Sequence, residues 1–167
     1  MSEFHIIMGI VLFYVVVRIK RRLFIYFLLN KGEVVYLDDG ASGVIRNSEY
    51  RVSARPDRVT NYKGKNYIIE YKSRKKGIYE KDVVQGVVGA LAVWGKFDGI
   101  DGLVVYNGSY QFKRYSFGSK EACYRRVKKA ILKAQKIKSG KTVKEKVETS
   151  KCRVCPYNTS CKKSKHR

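Results

Sequence analysis

The sequence predicts an α/β fold: a mixed central β-sheet flanked by helices, with a hydrophobic helix at the N-terminus. Three observations support this prediction. Short runs rich in β-branched and aromatic residues alternate with longer segments of helical spacing, as in α/β domains. Residues 4–29 are mostly apolar. The chain has 167 residues, which is enough for one domain with a sizeable hydrophobic core.

An N-terminal helix is predicted for residues 1–30. Its first apolar block, residues 4–17, would be about 21 Å long as a helix, somewhat short of the roughly 30 Å hydrocarbon core of a membrane. Basic residues follow this block; their side chains would extend its reach, and their position is wrong for a cleavable signal peptide. They are Arg18, Lys20, Arg21 and Arg22, and a second apolar block occupies residues 23–29.

Two interpretations of this helix stay open. Because basic residues favour the cytoplasmic side of membrane spans, we expect a single-span anchor that leaves the following domain in the cytoplasm. Membrane association would then use residues 4–29. The alternative is a buried or interfacial amphipathic helix that belongs to the globular fold.

Residues 31–138 are predicted to form the α/β domain. Strands are predicted at residues 33–36, 50–53, 67–72, 101–106 and 110–115, and helices at residues 79–94 and 119–138. Residues 61–66 supply the turn of a hairpin that ends with strand 67–72, and Asn107-Gly108 is a strong hairpin signal. Asp38 and Asp39 lie in a Gly/Ser loop, where we assign them to turn chemistry rather than metal binding.

Two carboxylates and a lysine are predicted to lie together on the first hairpin. Asp57 is near the start of one strand, and Glu70 and Lys72 share one face of the next because side chains alternate along a strand. Neighbouring carboxylates repel each other but form a good oxygen site for Mg²⁺ or Mn²⁺. Such an ion beside a lysine suits phosphodiester hydrolysis. The alternative is a solvated hairpin face with an ordinary Glu70–Lys72 surface pair.

The charge of the chain indicates a polyanionic partner. Lys and Arg number 36 against 14 Asp and Glu, which gives a formal net charge of +22. Nucleic acid is the first candidate partner and an anionic membrane surface the second. Ser119 is expected to cap the helix 119–138, whose basic residues favour sequence-independent phosphate contact. They are Arg125, Arg126, Lys128, Lys129, Lys133 and Lys136.

Residues 139–167 are predicted to form a basic linker followed by a cysteine-containing tail. Cys152, Cys155 and Cys161 are spaced tightly enough to hold a metal, and soft thiolates suit zinc or an iron–sulfur cluster. Three ligands are one short of the usual four. We interpret Cys123, inside the basic helix, as a small buried residue, and His166 lies in the tail. Zinc and [4Fe-4S] both stay open.

One motif resembles that of a known superfamily. Pro56-Asp57 and Glu70-Tyr71-Lys72, with residues 58–69 between them, are similar to the PD-(D/E)XK nuclease signature. The likeness is to the form found in RecB-like and CRISPR-associated exonuclease families.

Further motifs follow in the order found in those families. Residues 46–55 resemble their lead-in strand, and Gln85, which on residues alone would be an ordinary surface glutamine, resembles their glutamine motif. Cys152, Cys155 and Cys161 resemble their C-terminal cysteine cluster. The likeness covers about residues 33–161.

The resemblance implies a restriction-endonuclease-like fold and metal-dependent cleavage of DNA in exonuclease form. Asp57 and Glu70 would hold Mg²⁺ or Mn²⁺ together with a backbone carbonyl beside Glu70. Lys72 would orient the attacking water and stabilise charge, and Gln85 would position Lys72 or a phosphate. Glu49 is only a weak candidate for a further, upstream ligand.

The chain departs from the family pattern at the cysteines. In the iron–sulfur members a fourth cysteine comes near the start of the domain, whereas this chain has none before Cys123. A second functional hypothesis is a membrane-tethered DNA-binding or scaffold protein that kept the fold but not the chemistry.

Overall fold

The protein, seen in a computed structural model, is described over residues 3–97, 99–141, 149–153, 155 and 159. The chain divides into two compact units, Met1–Lys128 and Lys129–Arg167. In chain order its elements are α1 (Glu3–Lys31), β1 (Glu33–Leu37), β2 (Ile45–Asn47), β3 (Val52–Ala54), β4 (Arg58–Tyr62), β5 (Lys65–Lys72), α2 (Glu80–Val93), β6 (Gly102–Asn107), β7 (Phe112–Ser116), α3 (Lys120–Lys138) and α4 (Thr149–Arg153).

A five-stranded mixed sheet forms the centre of the first unit, which confirms the predicted α/β fold class. Its strand order is β1-β4-β5-β6-β7, and β2 and β3 form a separate two-stranded sheet. β5 and β6 run parallel and are joined by α2, whereas the other neighbours in the large sheet are antiparallel. The middle of β5 and most of β6 are buried, as expected of central strands covered on both faces.

The first predicted hairpin is present, with a tighter turn than expected. Asn61 pairs with Asn66 and Tyr62 with Lys65, so the strands extend into the predicted turn region. Only Lys63 and Gly64 form the turn, with φ values of 54° and 71°. Positive φ at both central residues is the type I′ geometry that matches the twist of paired strands.

The second predicted hairpin is also present, but its turn is longer than the Asn107-Gly108 pair indicated. Asn107 belongs to β6, and its buried side chain accepts hydrogen bonds from the backbone N–H groups of Ser109 and Gln111, at 3.1 and 3.0 Å. Tyr110 adopts a φ of 56° in the turn. The asparagine therefore organises the loop with its side chain instead of forming its centre.

The segment before Asp57 forms a small hairpin. The strand predicted at residues 50–53 begins at Val52, because Arg51 takes a turn conformation with a φ of 52°. β2, paired with β3, is tied to α2 by Asn47, whose Nδ2 donates to the Leu91 carbonyl at 2.7 Å.

The loop at residues 38–43 confirms the predicted turn chemistry. Asp38 accepts a hydrogen bond from the Gly40 N–H, and Asp39 accepts from the N–H groups of Ala41 and Ser42. Bonds of this kind replace the backbone partners that a turn lacks.

The N-terminal helix is present, and its last third belongs to the globular core. Ile25 and Leu28 of α1 are buried against Tyr67 and Ile69 of β5 and Val104 of β6. In the part of the chain that the structure describes, no helix is long and apolar enough to cross a membrane.

The remaining helices lie close to their predicted positions. α2 fits the helix predicted at residues 79–94, with Tyr79 as its N-cap residue. Ser119 precedes α3, and its Oγ accepts a hydrogen bond from the Ala122 N–H at 3.1 Å, which confirms the predicted cap. The short helix α4 lies within the predicted linker and tail.

Candidate active site

The pairing of β4 with β5 brings Asp57 next to Glu70. Arg58 is directly opposite Ile69, so the preceding Asp57 comes opposite Glu70, on the same face of the sheet. The Asp57 Oδ2 accepts a hydrogen bond from the Tyr71 N–H at 2.7 Å, which fixes this carboxylate against β5. The two predicted carboxylates therefore lie together at one end of the hairpin.

Glu70 is a buried carboxylate, with 1% of its surface exposed. Its Oε2 accepts a hydrogen bond from Lys72 Nζ at 3.0 Å. Burial raises the pKa of Glu70, and the negative charge of Asp57 adds to that effect; the bond from Lys72 opposes it without cancelling it. Ionisation of Glu70 is therefore less favourable than that of an exposed glutamate.

Lys72 links the strand to the helix. Its side chain is 14% exposed, and its Nζ also donates to the Oε1 of Gln85 on α2 at 3.2 Å. The glutamine is exposed at its own position, but its amide oxygen is directed at the lysine. Glu70 and Lys72 therefore form a largely buried pair rather than the exposed surface pair considered above.

Glycines let α2 approach the sheet closely beside this group. A Cβ on Gly86 would lie 2.5 Å from Cδ1 of Leu103, so a side chain there would collide with β6. A Cβ on Gly89 would lie 3.9 Å from the Oε1 of Glu70 and 3.9 Å from Pro56. These small residues thus allow α2 to approach the sheet closely.

A second polar cluster at the start of α2 could not be identified from the sequence. Asp82 is buried, forms an ion pair with Arg74 and accepts a hydrogen bond from the Tyr79 N–H at 2.7 Å. Burial acts to raise the pKa of Asp82, but the bonds from Arg74 and Tyr79 outweigh it and lower the pKa. The guanidinium also lies 4.8 Å from the Tyr79 ring centre.

This cluster fixes the first turn of the helix that carries Gln85. The available signal was the acid at the third helical position after Tyr79, which is the spacing of a capping box. Its partner Arg74 lies in the loop before the helix, where spacing alone does not indicate a contact.

The donor set of Asp57 and Glu70 fits Mg²⁺ or Mn²⁺. Magnesium is commonly bound by one or two carboxylates, with water and substrate phosphate as the other ligands. Over the described residues, no group of three or more His, Cys, Asp or Glu side chains could hold a metal ion. Glu49 is an exposed partner of Lys120, with a 2.6 Å ion pair, and does not add a third carboxylate to the pair.

The cysteines are only partly described. Cys152 lies in α4, and the N–H of Cys155 donates to the Cys152 carbonyl at 3.2 Å. Both are free, half-buried thiols, and Cys161 lies outside the described residues. Burial raises the pKa of the Cys123 thiol to about 12, which disfavours the thiolate that a metal ligand requires.

The basic residues of α3 are exposed, as the charge pattern indicated. Arg125 and Lys128 face solvent, and the Arg126 guanidinium lies 4.5 Å from the Tyr115 ring centre. Lys129, Lys133 and Lys136, in the second unit, are exposed as well.

The sequence matches no known family model and no curated protein. The resemblance to PD-(D/E)XK nucleases therefore remains a prediction carried by the motif residues themselves. What the structure adds is that Lys72 bonds to both Glu70 and Gln85 and that the Tyr71 N–H holds Asp57 against β5.

Proposed function

We propose that this protein is a metal-dependent nuclease that hydrolyses DNA phosphodiester bonds, acting as an exonuclease. The observation that carries the proposal is the buried Glu70, which lies beside Asp57 and is bonded to Lys72. Burying a carboxylate next to a second one is costly, and the bond from Lys72 to Glu70 offsets only one of the two negative charges. A divalent cation bound by both carboxylates would offset the other.

The roles of the side chains follow from their chemistry. Asp57 and Glu70 would hold Mg²⁺ or Mn²⁺, with a backbone carbonyl beside Glu70 as a further ligand. The bound ion would supply Lewis-acid polarisation of a phosphoryl oxygen and a lowered pKa for a bound water. Lys72 carries a positive charge at the same position and would orient the water and stabilise the negative charge that develops on the phosphate.

Gln85 would act as a positioning residue. Its amide oxygen accepts a hydrogen bond from Lys72 at 3.2 Å, so the ammonium group is held from the helix side as well as from Glu70. A lysine side chain has many rotamers, and two fixed acceptors reduce that freedom.

DNA is the proposed substrate because of charge. The net charge of +22 and the exposed cations of α3 favour a polyanion. Contacts of this kind are with the phosphate backbone, so binding would be sequence-independent and would weaken with added salt.

The test compares single variants of the full chain on end-labelled single- and double-stranded DNA with Mn²⁺. Asp57→Asn, Glu70→Gln and Lys72→Met are each expected to lower cleavage at least about a hundredfold, while DNA binding in EDTA stays within about twofold. Release of labelled mononucleotide identifies exonuclease action.

The matched control is Glu49→Gln, which removes an exposed carboxylate that is also paired with a lysine. It is expected to leave cleavage unchanged. Retained cleavage in all three site variants would overturn the proposal, and so would equal losses in the control.

A catalytically inactive, membrane-tethered DNA-binding or scaffold protein of the same fold is the second candidate. It is favoured by the small number of carboxylates: the described residues bring only Asp57 and Glu70 together, and one oxygen of Asp57 already accepts the Tyr71 N–H. A Mn²⁺ titration distinguishes the two candidates. DNA binding without metal uptake or product favours the scaffold, whereas metal-dependent product favours the enzyme.

The cysteine tail and the membrane are the remaining parts of the proposal. Zinc or [4Fe-4S] bound by Cys152, Cys155 and Cys161 would be detected by metal analysis of the purified protein. We also propose that the exposed part of α1, residues 5–16, attaches the domain to a membrane from the cytoplasmic side. The support is the apolar surface that the first two-thirds of α1 expose, including Phe13 at 71%.

A further inference from the structure

Two adjacent clefts lie between α1 and the β6–β7 hairpin. One has a volume of about 480 Å³ and the other of about 370 Å³, and both are lined by Arg21 and Phe112. The residues that matter for their chemistry are Arg18, Arg21 and Arg22 on α1, Arg114 on β7, and Tyr110 in the turn. Together they form one groove, called here the α1–β7 cleft.

The α1–β7 cleft is lined by cations on both walls. None of the described lining residues is acidic, so the charges are not neutralised within the cleft. Two of the guanidinium groups rest on aromatic rings: Arg114 lies 3.9 Å from the Phe24 ring centre, and Arg18 lies 5.4 Å from that of Tyr14. Stacking of this kind orients the guanidinium while leaving its N–H donors free for an anion.

The same helix carries an exposed apolar surface just before the cleft. Ile10, Leu12 and Phe13 are each more than half exposed. Polyanions such as DNA need cations and gain nothing from exposed aliphatic side chains. A surface that offers both an apolar helix and a cationic cleft fits an anionic lipid layer better.

The cleft lies on the other face of the sheet from Glu70 and Lys72. Arg114 is paired with Val104, which packs against α1, whereas Lys72 bonds to Gln85 on α2. DNA held at the proposed catalytic pair would therefore leave the cleft vacant for another ligand.

We propose that the α1–β7 cleft binds the phosphate of an anionic phospholipid while the apolar surface of α1 lies in the membrane interface. This inference rests on the proposed membrane attachment and names its lipid class. Arginine forks match phosphate oxygens, and Tyr110, 84% exposed at the mouth of the cleft, is of the residue type enriched at membrane interfaces. Selectivity for anionic lipid follows from the cleft and not from the apolar surface.

The test measures binding of the full chain to vesicles by co-sedimentation. Vesicles of phosphatidylcholine alone are compared with vesicles that contain about one-third phosphatidylglycerol. The double variant Arg21→Gln/Arg114→Gln is expected to bind the anionic vesicles about tenfold or more weakly and the neutral ones as well as the wild type does. The matched control Arg125→Gln/Lys128→Gln removes the same charge from α3 and is expected to lose less than about threefold.

A second variant guards against a folding defect. Arg18→Gln/Arg22→Gln changes two exposed positions of α1 that line the same cleft, and it is expected to lose anionic selectivity in the same way. Thermal unfolding checks each variant. Failure of both double variants to weaken anionic binding would overturn the inference.

The remaining outcomes separate this inference from the proposed attachment. Equal wild-type binding to both vesicle types overturns the cleft as a lipid site and leaves membrane attachment standing. No vesicle binding overturns both. Equal losses in the α3 control show that net charge alone is responsible, and a larger loss in DNA binding than in vesicle binding assigns the cleft to DNA; either overturns the inference.

Discussion

At the scale of single residues, Glu70 couples stability to pH. Its folded-state pKa is raised above the ordinary value of 4.5, chiefly by burial. A carboxyl group with a raised pKa favours the folded state while it is protonated, and that contribution is lost as pH rises through the folded-state value. In the absence of a metal ion, the stability of the fold therefore falls as pH rises above 4.5 and through the folded-state pKa of Glu70.

The variant Glu70→Gln tests this coupling. We expect the free energy of unfolding of the variant, measured in EDTA, to rise relative to that of the wild type between pH 4.5 and neutrality. The glutamine keeps an oxygen that accepts from Lys72 and cannot ionise. Urea unfolding at several pH values measures the difference, and Glu49→Gln is the control with an exposed carboxylate. A pH-independent difference would contradict the assignment of the raised pKa.

The same residues show what a sequence can and cannot predict about a site. Asp57, Glu70 and Lys72 could be placed together because strand alternation and a short hairpin are local properties. The contact between Gln85 and Lys72 was predicted only from the family resemblance, since helix spacing alone makes Gln85 a surface residue. The Arg74–Asp82 pair was missed because it depends on how the loop before α2 folds back on the helix.

At the scale of elements, α2 is fitted to the sheet by two glycines with different surroundings. Gly86 faces Leu103, and a Cβ there would lie 2.5 Å from Cδ1 of that fully buried side chain. Gly89 faces Glu70 and Pro56 at 3.9 Å, which is ordinary van der Waals contact. The same substitution is therefore expected to have opposite effects at the two positions.

The pair Gly86→Ala and Gly89→Ala tests the helix–sheet fit. Overpacking against Leu103 is expected to make Gly86→Ala less stable by about 1–3 kcal/mol. Gly89→Ala is expected to gain up to about 1 kcal/mol from helix propensity, because its methyl group meets Glu70 and Pro56 only at van der Waals distance. Chemical unfolding measures both changes. Equal stability changes at both positions would show that α2 is not seated on the sheet at Gly86.

The differences between the predicted and observed elements lie in the turns and in the surface against which α1 packs. The strands and helices follow local hydrophobic patterns, and these were predictable. The turn at Lys63-Gly64 and the longer one after Asn107 are set by pairing with the neighbouring strand, which local composition does not report. The apolar blocks of α1 could not reveal their partner either, because burial against a sheet and burial in lipid select the same side chains.

At the scale of the whole molecule, one end of α1 is buried in the core and the other is exposed. Leu28 is fully buried, Ile25 nearly so, and the Leu29 carbonyl accepts a hydrogen bond from Arg58 Nη2 at 3.1 Å. Residues 5–16 are exposed instead. The free part is about 18 Å long as a helix, well below the roughly 30 Å of a hydrocarbon core. A helical segment of this length is better suited to lying along a membrane surface than to crossing a bilayer.

Truncation separates these two roles. A fragment of residues 21–167 keeps Ile25 and Leu28, whereas a fragment of residues 32–167 exposes Tyr67 and Ile69, which they cover. Each buried aliphatic side chain contributes about 1.5–3 kcal/mol, so the shorter fragment loses on the order of 5 kcal/mol of a total that is typically 5–15 kcal/mol.

We expect the longer fragment to unfold within about 5 °C of the full chain and the shorter one to unfold at least about 10 °C lower or to aggregate. Thermal unfolding by circular dichroism measures both, and vesicle binding should be lost from each because residues 5–16 are absent. Equal stability of the two fragments would mean that Ile25 and Leu28 are dispensable to the core. In that case all of α1, and not only its first two-thirds, would be available for the proposed membrane attachment.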